Sequence, residues 1–185
     1  FHIFQSVHAM TKVVIVGGGH AGANTAFALR KDGFDGDINI ICDESHLPYH
    51  RPPLSKDFLK QKIEEDKLSF KTAEFYNDQN ISLNLNTRVQ SIDLESNKVF
   101  SDDGSFDFDY LVFATGAAPR LLPMENADAK NLFYLRQISD VVSMQKVIAA
   151  GKKIVLIGGG YIGLEVASAM IELGLEVTIL ESEDR

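Results

Sequence analysis

Two glycine-rich turns carry the clearest chemical signal in the sequence. Residues 17–22 and residues 158–163 both match G-x-G-x-x-G. Each turn follows a short apolar run rich in β-branched residues and precedes a stretch of small and apolar residues with helical spacing. Glycines in this setting allow a tight turn and let the backbone approach a pyrophosphate, while the helix N-terminus offers free N–H groups. Two such turns in one chain predict two dinucleotide sites.

An acidic residue ends the second apolar run after each turn, about 23–26 residues beyond the first glycine. Asp43 or Glu44 holds this position in the first repeat, and Glu181 holds it in the second. A carboxylate there accepts hydrogen bonds from ribose hydroxyls and repels a 2′-phosphate, so we expect the second site to prefer NAD over NADP. The alternative for Glu181 is a solvated charge beside Glu183 and Asp184.

These turns must be positioned by two strand–helix–strand repeats of about 30 residues each, which lie too far apart for a solenoid. Between the repeats the pattern predicts several further elements. They are a helix after the proline-bearing residues 49–59 with Ser55 as its cap, a short helix over 72–77, a strand around 81–85, a hairpin turn over 102–105, a strand over 109–114 covered on both faces, a loop over 119–131 and a helix over 138–150.

Composition narrows the class of protein. The chain has 185 residues, 45% apolar and 24% charged, which is typical of globular proteins and excludes disordered, collagenous and coiled-coil chains. The formal charge of −8 disfavours nucleic-acid binding through a generally basic surface. A single cysteine, Cys42, excludes an internal disulfide and every two-cysteine redox or metal motif, and the histidines form no metal pattern. With no secretory signal and no long apolar run, we expect a cytoplasmic protein without a membrane span.

The two ends of the chain need separate treatment. Residues 1–9 precede Met10 and lack the features of a signal peptide, so we interpret them as leader or added sequence, with a natural β-edge extension as the alternative. The second repeat begins near Lys152 and leaves about 34 residues, enough for one strand–helix–strand and not for a complete nucleotide domain. We therefore expect an incomplete second domain and the N-terminal portion of a larger protein.

Further motifs give the chain a family resemblance. They are the run R-P-P-L-S-K over 51–56, then A-T-G over 114–116 with Pro119 and Arg120, and G-G-G-Y-I-G-L-E over 158–165. With the first glycine turn, and in this order, they resemble the FAD-dependent NADH–ferredoxin and NADH–rubredoxin reductases of the pyridine nucleotide-disulfide oxidoreductase superfamily. The resemblance implies an α/β, Rossmann-like FAD/NAD(P)-binding fold with a parallel sheet and a β-hairpin or antiparallel element.

The resemblance also implies which part of the chain binds each cofactor. Residues 10–122 would be the N-terminal part of an FAD-binding domain, residues 123–150 a connection and residues 151–185 the start of an NAD-binding domain. NADH would reduce FAD, and the flavin would pass electrons to an iron–sulfur protein such as a ferredoxin or rubredoxin. A homodimer is left open.

Individual site residues follow from the same resemblance. Lys56 would lie beside the flavin's reactive edge, where a cation stabilises the charge of a reduced flavin, with Glu165 as the partner that a buried lysine needs. The alternatives are a surface Lys56, surface ion-pair roles for Arg51 and Arg120, and a plain turn after residue 114. The residues expected to bind FAD are Gly17, Gly19, His20, Ala21, Gly22, Asp43, Glu44, Arg51, Lys56, Val89, Ala114, Thr115, Gly116 and Arg120, and those expected to bind NAD are Gly158, Gly160, Tyr161, Ile162, Gly163 and Glu181.

The region of the family that carries redox thiols in disulfide reductases reads H-R-P-P-L-S-K here, without cysteine. Cys42 precedes it, within a predicted strand, as a small core residue. Electrons would therefore leave the flavin without a protein thiol relay. Two other interpretations stay open: another thiol-free flavoprotein, such as the flavin part of a nitrite reductase, a monodehydroascorbate reductase or an apoptosis-inducing-factor-like oxidoreductase, and a nucleotide-binding fragment without catalysis.

Overall fold

A computed structural model describes residues 10–123, 125 and 129–184, and these form two compact units. The predicted leader at residues 1–9 and part of the predicted loop over 119–131 lie outside the described residues. The elements in chain order are β1 (Lys12–Val16), α1 (His20–Lys31), β2 (Asp37–Ile41), a 3₁₀ helix (Pro52–Ser55), a second 3₁₀ helix (Glu65–Leu68), α2 (Ala73–Asp78), β3 (Ile81–Asn84), β4 (Val89–Asp93), β5 (Lys98–Ser101), β6 (Gly104–Asp107), β7 (Tyr110–Phe113), α3 (Ile138–Gln145), β8 (Lys153–Ile157), α4 (Tyr161–Glu172) and β9 (Glu176–Leu180).

The N-terminal unit consists of the described residues of Phe1–Tyr49 together with Ser69–Gly116. Its main sheet is parallel, with strand order β3-β2-β1-β7, and β4, β5 and β6 form an antiparallel sheet. The expected α/β fold with a parallel sheet and an antiparallel hairpin is confirmed.

Alternation along β1 builds two core layers in this unit, because successive strand side chains point to opposite faces. Val13 and Ile15 pack with Ala26 of α1 and Tyr76 of α2 on one face. Val14 and Val16 pack on the other face with residues of the antiparallel sheet, including the fully buried Val99. The parallel sheet is therefore covered by helices on one face and by the antiparallel sheet on the other.

The strand expected over 109–114 differs from its prediction. It is observed as β7, at the edge of the parallel sheet, with Tyr110 64% and Phe113 65% exposed. A continuous apolar run is typical of a central strand, but an edge strand has a neighbour on one side only. The expectation of coverage on both faces was wrong for the described residues.

The C-terminal unit consists of His50–Leu68 and the described residues of Ala117–Arg185. Strands β8 and β9 pair in parallel around α4, which confirms the second strand–helix–strand repeat. Residues 50–68, called the proline segment below, pack in this unit rather than with the rest of the predicted domain over 10–122.

Two helices of this unit differ from their predictions. The proline segment forms a 3₁₀ helix that ends at Ser55, and turns rather than an α-helix follow it, so Ser55 is not a helix cap. Helix α3 ends at Gln145 and not at residue 150, because the Val147 N–H donates to the Met144 carbonyl in a tighter turn. None of the described helices is long and apolar enough to cross a membrane.

Candidate functional site

The first glycine turn, residues 17–22, joins β1 to α1 and forms what we call the first cradle. Gly17 has φ +112°, and a Cβ there would meet the carbonyl oxygen of Ala114. A Cβ on Gly22 would meet the Gly17 carbonyl, so helix and strand can pack this closely only with glycine. Gly19 is the N-cap of α1, and a Cβ there would meet none of the described residues within 4 Å. As far as these residues show, the helix N-terminus has open space beside its first N–H groups.

The carboxyl edge of the parallel sheet gathers other predicted FAD residues around this cradle. The Ala114 N–H donates to the Val16 carbonyl at 2.8 Å, which places Ala114, and the exposed Thr115 and Gly116 after it, next to the end of β1. Gly116 has φ +69°, a conformation that favours glycine. Ligands of open α/β sheets bind outside the carboxyl ends of the strands, so this edge is a suitable place for a nucleotide.

Two acidic residues follow β2 at the same edge. An Asp43 carboxylate oxygen accepts from Arg88 at 3.3 Å, and a Glu44 carboxylate oxygen accepts from the Tyr49 hydroxyl at 2.6 Å. The Thr87 N–H donates to the Cys42 carbonyl at 2.8 Å and so brings the loop that leads into Val89 alongside. Asp43 and Glu44 thus lie at this edge of the parallel sheet, and Val89 begins β4 two residues after Thr87.

His20 and Ala21 begin α1 and are both exposed. The His20 ring lies edge-on to Phe70, with 4.8 Å between ring centroids and 78° between ring planes. The imidazole is therefore in contact with an aromatic ring at the first turn of the helix.

The second glycine turn, residues 158–163, forms the second cradle between β8 and α4. Gly158 has φ +102°, and its N–H donates to the Leu180 carbonyl at 2.8 Å. A Cβ on Gly163 would meet the Gly158 carbonyl, as in the first cradle. A Cβ on the N-cap Gly160 would again meet no described residue within 4 Å, and Tyr161 and Ile162 are exposed.

Glu181, just after β9, is held against this cradle. Its Oε2 accepts from the Gly159 N–H at 2.7 Å, and its Oε1 accepts from the N–H groups of Ser182 and Glu183 at 2.8 and 3.1 Å. Backbone donors therefore fix the carboxylate beside the glycine turn, where it could accept from a ribose.

A cavity of about 620 Å³ borders the second cradle within the C-terminal unit. Gly158 and Gly160 contribute to its lining, together with apolar side chains such as Phe133, Leu135 and Ile154. Arg120, one of the predicted FAD residues, is also part of its lining.

The structure joins the two predicted catalytic residues, Lys56 and Glu165. Lys56 Nζ lies 2.7 Å from Glu165 Oε2 in an ion pair. The Ser55 hydroxyl donates to the same oxygen at 2.5 Å. The Lys56 side chain is 46% exposed, so the expectation of a buried lysine that requires a partner was wrong, and the pair stands without that argument. These donors lower the pKa of the Glu165 carboxyl, Lys56 first and Ser55 second.

Arg51 and Arg120 belong to the C-terminal unit. Arg51 Nη1 donates to the Arg136 carbonyl at 2.8 Å, which ties the proline segment to the residue before the N-cap of α3, Gln137. Arg120 is exposed.

Cys42 follows the end of β2 rather than lying within it, and its side chain is buried. Burial, with the nearby Glu44 and Asp43 charges, raises the pKa of the thiol to about 12, so the reactive thiolate is scarce at neutral pH. Within the described residues, no group of three histidine, cysteine or acidic side chains could hold a metal ion.

Two contributions to these sites were not predicted from the sequence. Ser55 was interpreted as a helix cap, although its position directly before Lys56 in the proline segment was a usable signal. Gly18 is not among the predicted site residues, yet a Cβ there would meet the Cys42 sulfur. Only this tertiary contact between the turn after β1 and the residue after β2 reveals the constraint, so no local pattern could have found it.

Comparison with known proteins gives these sites a family. The family model of pyridine nucleotide-disulphide oxidoreductases matches residues 11–185. The chain belongs to this family. Both cradles lie within the matched range, so the family assignment covers the two candidate sites together.

Relatives within the pyridine nucleotide-disulphide oxidoreductases include two from Pseudomonas putida. The chain is 43% identical to the ferredoxin–NAD(+) reductase component of a p-cumate 2,3-dioxygenase system, over 95% of this chain and 44% of that protein. It is 41% identical to a rubredoxin–NAD(+) reductase, over 94% of this chain and 45% of that protein. These names confirm the resemblance to ferredoxin and rubredoxin reductases.

A solved structure shows the same fold. The crystal structure of a covalent putidaredoxin reductase–putidaredoxin complex matches with a TM-score of 0.91 and 41% identity, over 95% of this chain and 43% of that chain. The chain therefore spans less than half the length of the relatives it matches.

Proposed function

We propose that this chain is part of a flavoprotein oxidoreductase that takes electrons from NADH through FAD to a ferredoxin or rubredoxin-type iron–sulfur protein. FAD and NAD(H) are the cofactors of its family. The observation that carries the proposal is the presence of two cradles in one chain, each with an open N-cap glycine and a carboxylate after its second strand. The names of the relatives support the choice of acceptor.

The first cradle would hold the FAD diphosphate with backbone N–H groups of α1, because a helix N-terminus favours negative charge. Asp43 or Glu44 would accept from the ribose. The further FAD contacts we propose are those of Gly17, Gly19, His20, Ala21, Gly22, Arg51, Val89, Ala114, Thr115, Gly116 and Arg120.

The second cradle would hold NADH in the same way. Glu181 is already oriented by three backbone donors, and it would accept from the adenosine ribose and repel a 2′-phosphate. This arrangement supports a preference for NADH over NADPH. Gly158, Gly160, Tyr161, Ile162 and Gly163 complete the proposed site.

Lys56 would stabilise negative charge on the flavin when it is reduced, since an oriented cation lowers the energy of a nearby anion. Glu165 would keep the ammonium group in place through the 2.7 Å ion pair. Bound FAD supplies a carrier that accepts two electrons and can release them singly. Cys42, the one thiol of the chain, is buried with a raised pKa and is unsuited to relay electrons. The low cysteine content also supports a cytoplasmic location.

The test uses the full-length protein that contains this chain. We expect a visible flavin absorption band that NADH bleaches and NADPH bleaches more slowly. Ferredoxin, nitrite and ascorbyl radical, supplied separately, identify the acceptor, and reduction of nitrite or ascorbyl radical alone would favour the other thiol-free flavoproteins. The mass in solution decides whether a homodimer forms. A colourless protein that binds neither nucleotide contradicts the proposal, and binding without NADH oxidation favours a fragment that only binds nucleotides.

A substitution tests the role of Lys56 directly. We expect Lys56→Met to slow flavin reduction by NADH at least about tenfold, because the charge of the reduced flavin loses its cation. FAD content should stay unchanged. Lys62→Met is the matched control, since Lys62 is an exposed lysine of the same segment that pairs with Glu172 instead. Equal rates in both variants, measured by rapid mixing, would remove Lys56 from the mechanism.

A further inference from the structure

Within the C-terminal unit, helix α4 contacts the proline segment through two glutamates. Near the start of α4, Glu165 accepts from Ser55 and Lys56. Two turns later, Glu172 pairs with Lys60 and Lys62 at 3.0 and 3.3 Å. Both glutamates attract lysine, but within the part of the chain that the structure describes only Glu165 also accepts from a hydroxyl group. This difference singles out Ser55.

Ser55 is fixed more firmly than either member of the ion pair beside it. Its side chain is buried, and the 3₁₀ helix that it ends begins with Pro52 and Pro53, whose rings hold φ near one value. Lys56 and Glu165 are long side chains with 46% and 36% of their surface exposed. An exposed ion pair gains little in water and must restrict two flexible side chains.

The hydroxyl bond therefore comes from the more rigid of the two donors, although Lys56 has the larger effect on the pKa of the carboxylate. A serine hydroxyl donates one hydrogen, and Glu165 Oε2 at 2.5 Å is much nearer than its other acceptor, the Pro52 carbonyl at 3.3 Å. A short bond to a charged oxygen is stronger than a bond between neutral groups. Ser55 thus holds the oxygen that Lys56 also uses.

We propose that Ser55 is a positioning residue for the reaction, in that its hydroxyl fixes Glu165 Oε2 and thereby sets where the Lys56 ammonium group is held. This inference rests on the proposed function, since it takes Lys56 to serve the flavin. Ser55 itself contacts neither cofactor in this scheme and acts through the Glu165 carboxylate.

Removal of the Ser55 hydroxyl should change the pH at which Glu165 protonates, in a direction that follows from the donors to its carboxylate. Among the described residues, Lys56 is the charged group that shifts the pKa of Glu165. Both donors to Glu165, Lys56 and Ser55, favour the ionised carboxylate and lower its pKa. Loss of the Ser55 hydroxyl removes one of the two donors, so the Glu165 pKa rises toward its ordinary value. The carboxylate then protonates, and releases Lys56, at a higher pH than in the wild type.

The experiment compares Ser55→Ala, Ser55→Thr and the control Glu172→Gln with the wild type in the full-length, FAD-loaded protein. We expect Ser55→Ala to move the acid limb of the pH profile of flavin reduction to higher pH and to lower the rate at neutral pH about three- to tenfold, with the KM for NADH unchanged. Ser55→Thr keeps the hydroxyl group, so its acid limb should lie at the wild-type pH. Glu172→Gln should leave the limb in place, because it loosens the same segment without touching Glu165.

A second readout does not depend on turnover. In the flavin-free protein, the carboxyl carbon shift of Glu165 should titrate at a higher pH in Ser55→Ala than in the wild type. Two results would overturn the inference and leave the proposed function intact, provided that NADH bleaches the wild-type flavin. One is identical Glu165 titration curves in Ser55→Ala and the wild type, and the other is an acid limb that Ser55→Ala does not move. A wild-type protein that NADH does not bleach overturns the proposed function and the inference with it.

Discussion

The two cradles share a glycine pattern and a strand–helix–strand order, yet their surroundings differ. In the first, β1 lies between β2 and β7, four of its five residues are buried, and the carbonyl of Ala114 closes over Gly17. In the second, β8 pairs with β9 alone among the described strands, and side chains such as Val155 and Ile157 are more than half exposed. The motif thus fixes the turn, and neighbouring strands decide how tightly the turn is enclosed.

The largest expected difference concerns the first glycine of each cradle. Gly17→Ala should destabilise the N-terminal unit by more than about 3 kcal/mol, because the new Cβ meets the backbone of Ala114 in addition to an unfavourable φ. A Cβ on Gly158 would meet none of the described residues within 4 Å, so Gly158→Ala has the φ of +102° against it and should cost about 1–3 kcal/mol. Hydrogen exchange at the amides of β1 and β8 measures each unit separately. Equal losses would show that enclosure by β7 is unimportant.

The alkylation rate of Cys42 reports on the N-terminal unit and so distinguishes the effects of Gly17→Ala and Gly158→Ala. Its thiol is buried with a pKa of about 12, so an alkylating reagent at mildly alkaline pH should label it at least about a hundredfold more slowly than in urea. Because a raised thiol pKa keeps the thiolate scarce, labelling should accelerate as the pH rises. Gly17→Ala should speed labelling and Gly158→Ala should not. Fast labelling of the native wild type would contradict this account of the N-terminal core.

The helices that follow the cradles differ at one equivalent position. Arg30 of α1 donates to the carbonyls of Phe34, Gly36, Gln79 and Asn80 at 2.6–2.8 Å. Its counterpart in α4, counted from the helix start, is Ile171, which is 62% exposed.

Arg30→Ala should therefore destabilise the N-terminal unit by about 2–4 kcal/mol, since four carbonyls lose their donor. The matched change Ile171→Ala should alter the C-terminal unit by less than about 1 kcal/mol. Thermal unfolding of both variants gives the comparison. A loss of similar size in both would mean that solvent replaces the arginine at these carbonyls.

The smallest effect is expected at Tyr76, under the N-terminal sheet. Its hydroxyl is buried and has no hydrogen-bond partner among the described residues, and burial raises its pKa. Tyr76→Phe should leave stability unchanged or increase it by about 1 kcal/mol, because an unpaired buried hydroxyl is unfavourable. Tyr49→Phe, which removes the bond to Glu44, is the control and should cost about 1 kcal/mol. Urea titration distinguishes the two.

The sequence predicted the features that depend on local patterns. Both cradles, the hairpin turn over 102–105 and the short helix predicted over 72–77, which is observed as α2, depend on glycine spacing, turn residues and a local helical pattern, and these signals lie within a few residues. The two site residues Lys56 and Glu165 came from a family motif, and their ion pair is observed.

Features that depend on distant partners could not be predicted in this way. The exposure of β7 follows from its edge position, which an apolar run does not encode. The role of Ser55 depends on Glu165, more than a hundred residues away. A serine before a charged run resembles a helix cap, and only the tertiary contact distinguishes the two outcomes.

The placement of the proline segment determines how the two units can be separated. The backbone passes between the units after Tyr49, after Leu68 and after Gly116. No single cut therefore yields either unit whole: expression up to Gly116 would carry residues 50–68 without the helices that hold them, and expression from Ala117 would leave Glu165 without Ser55 and Lys56. Separate study of one unit calls for a spliced or circularly permuted gene.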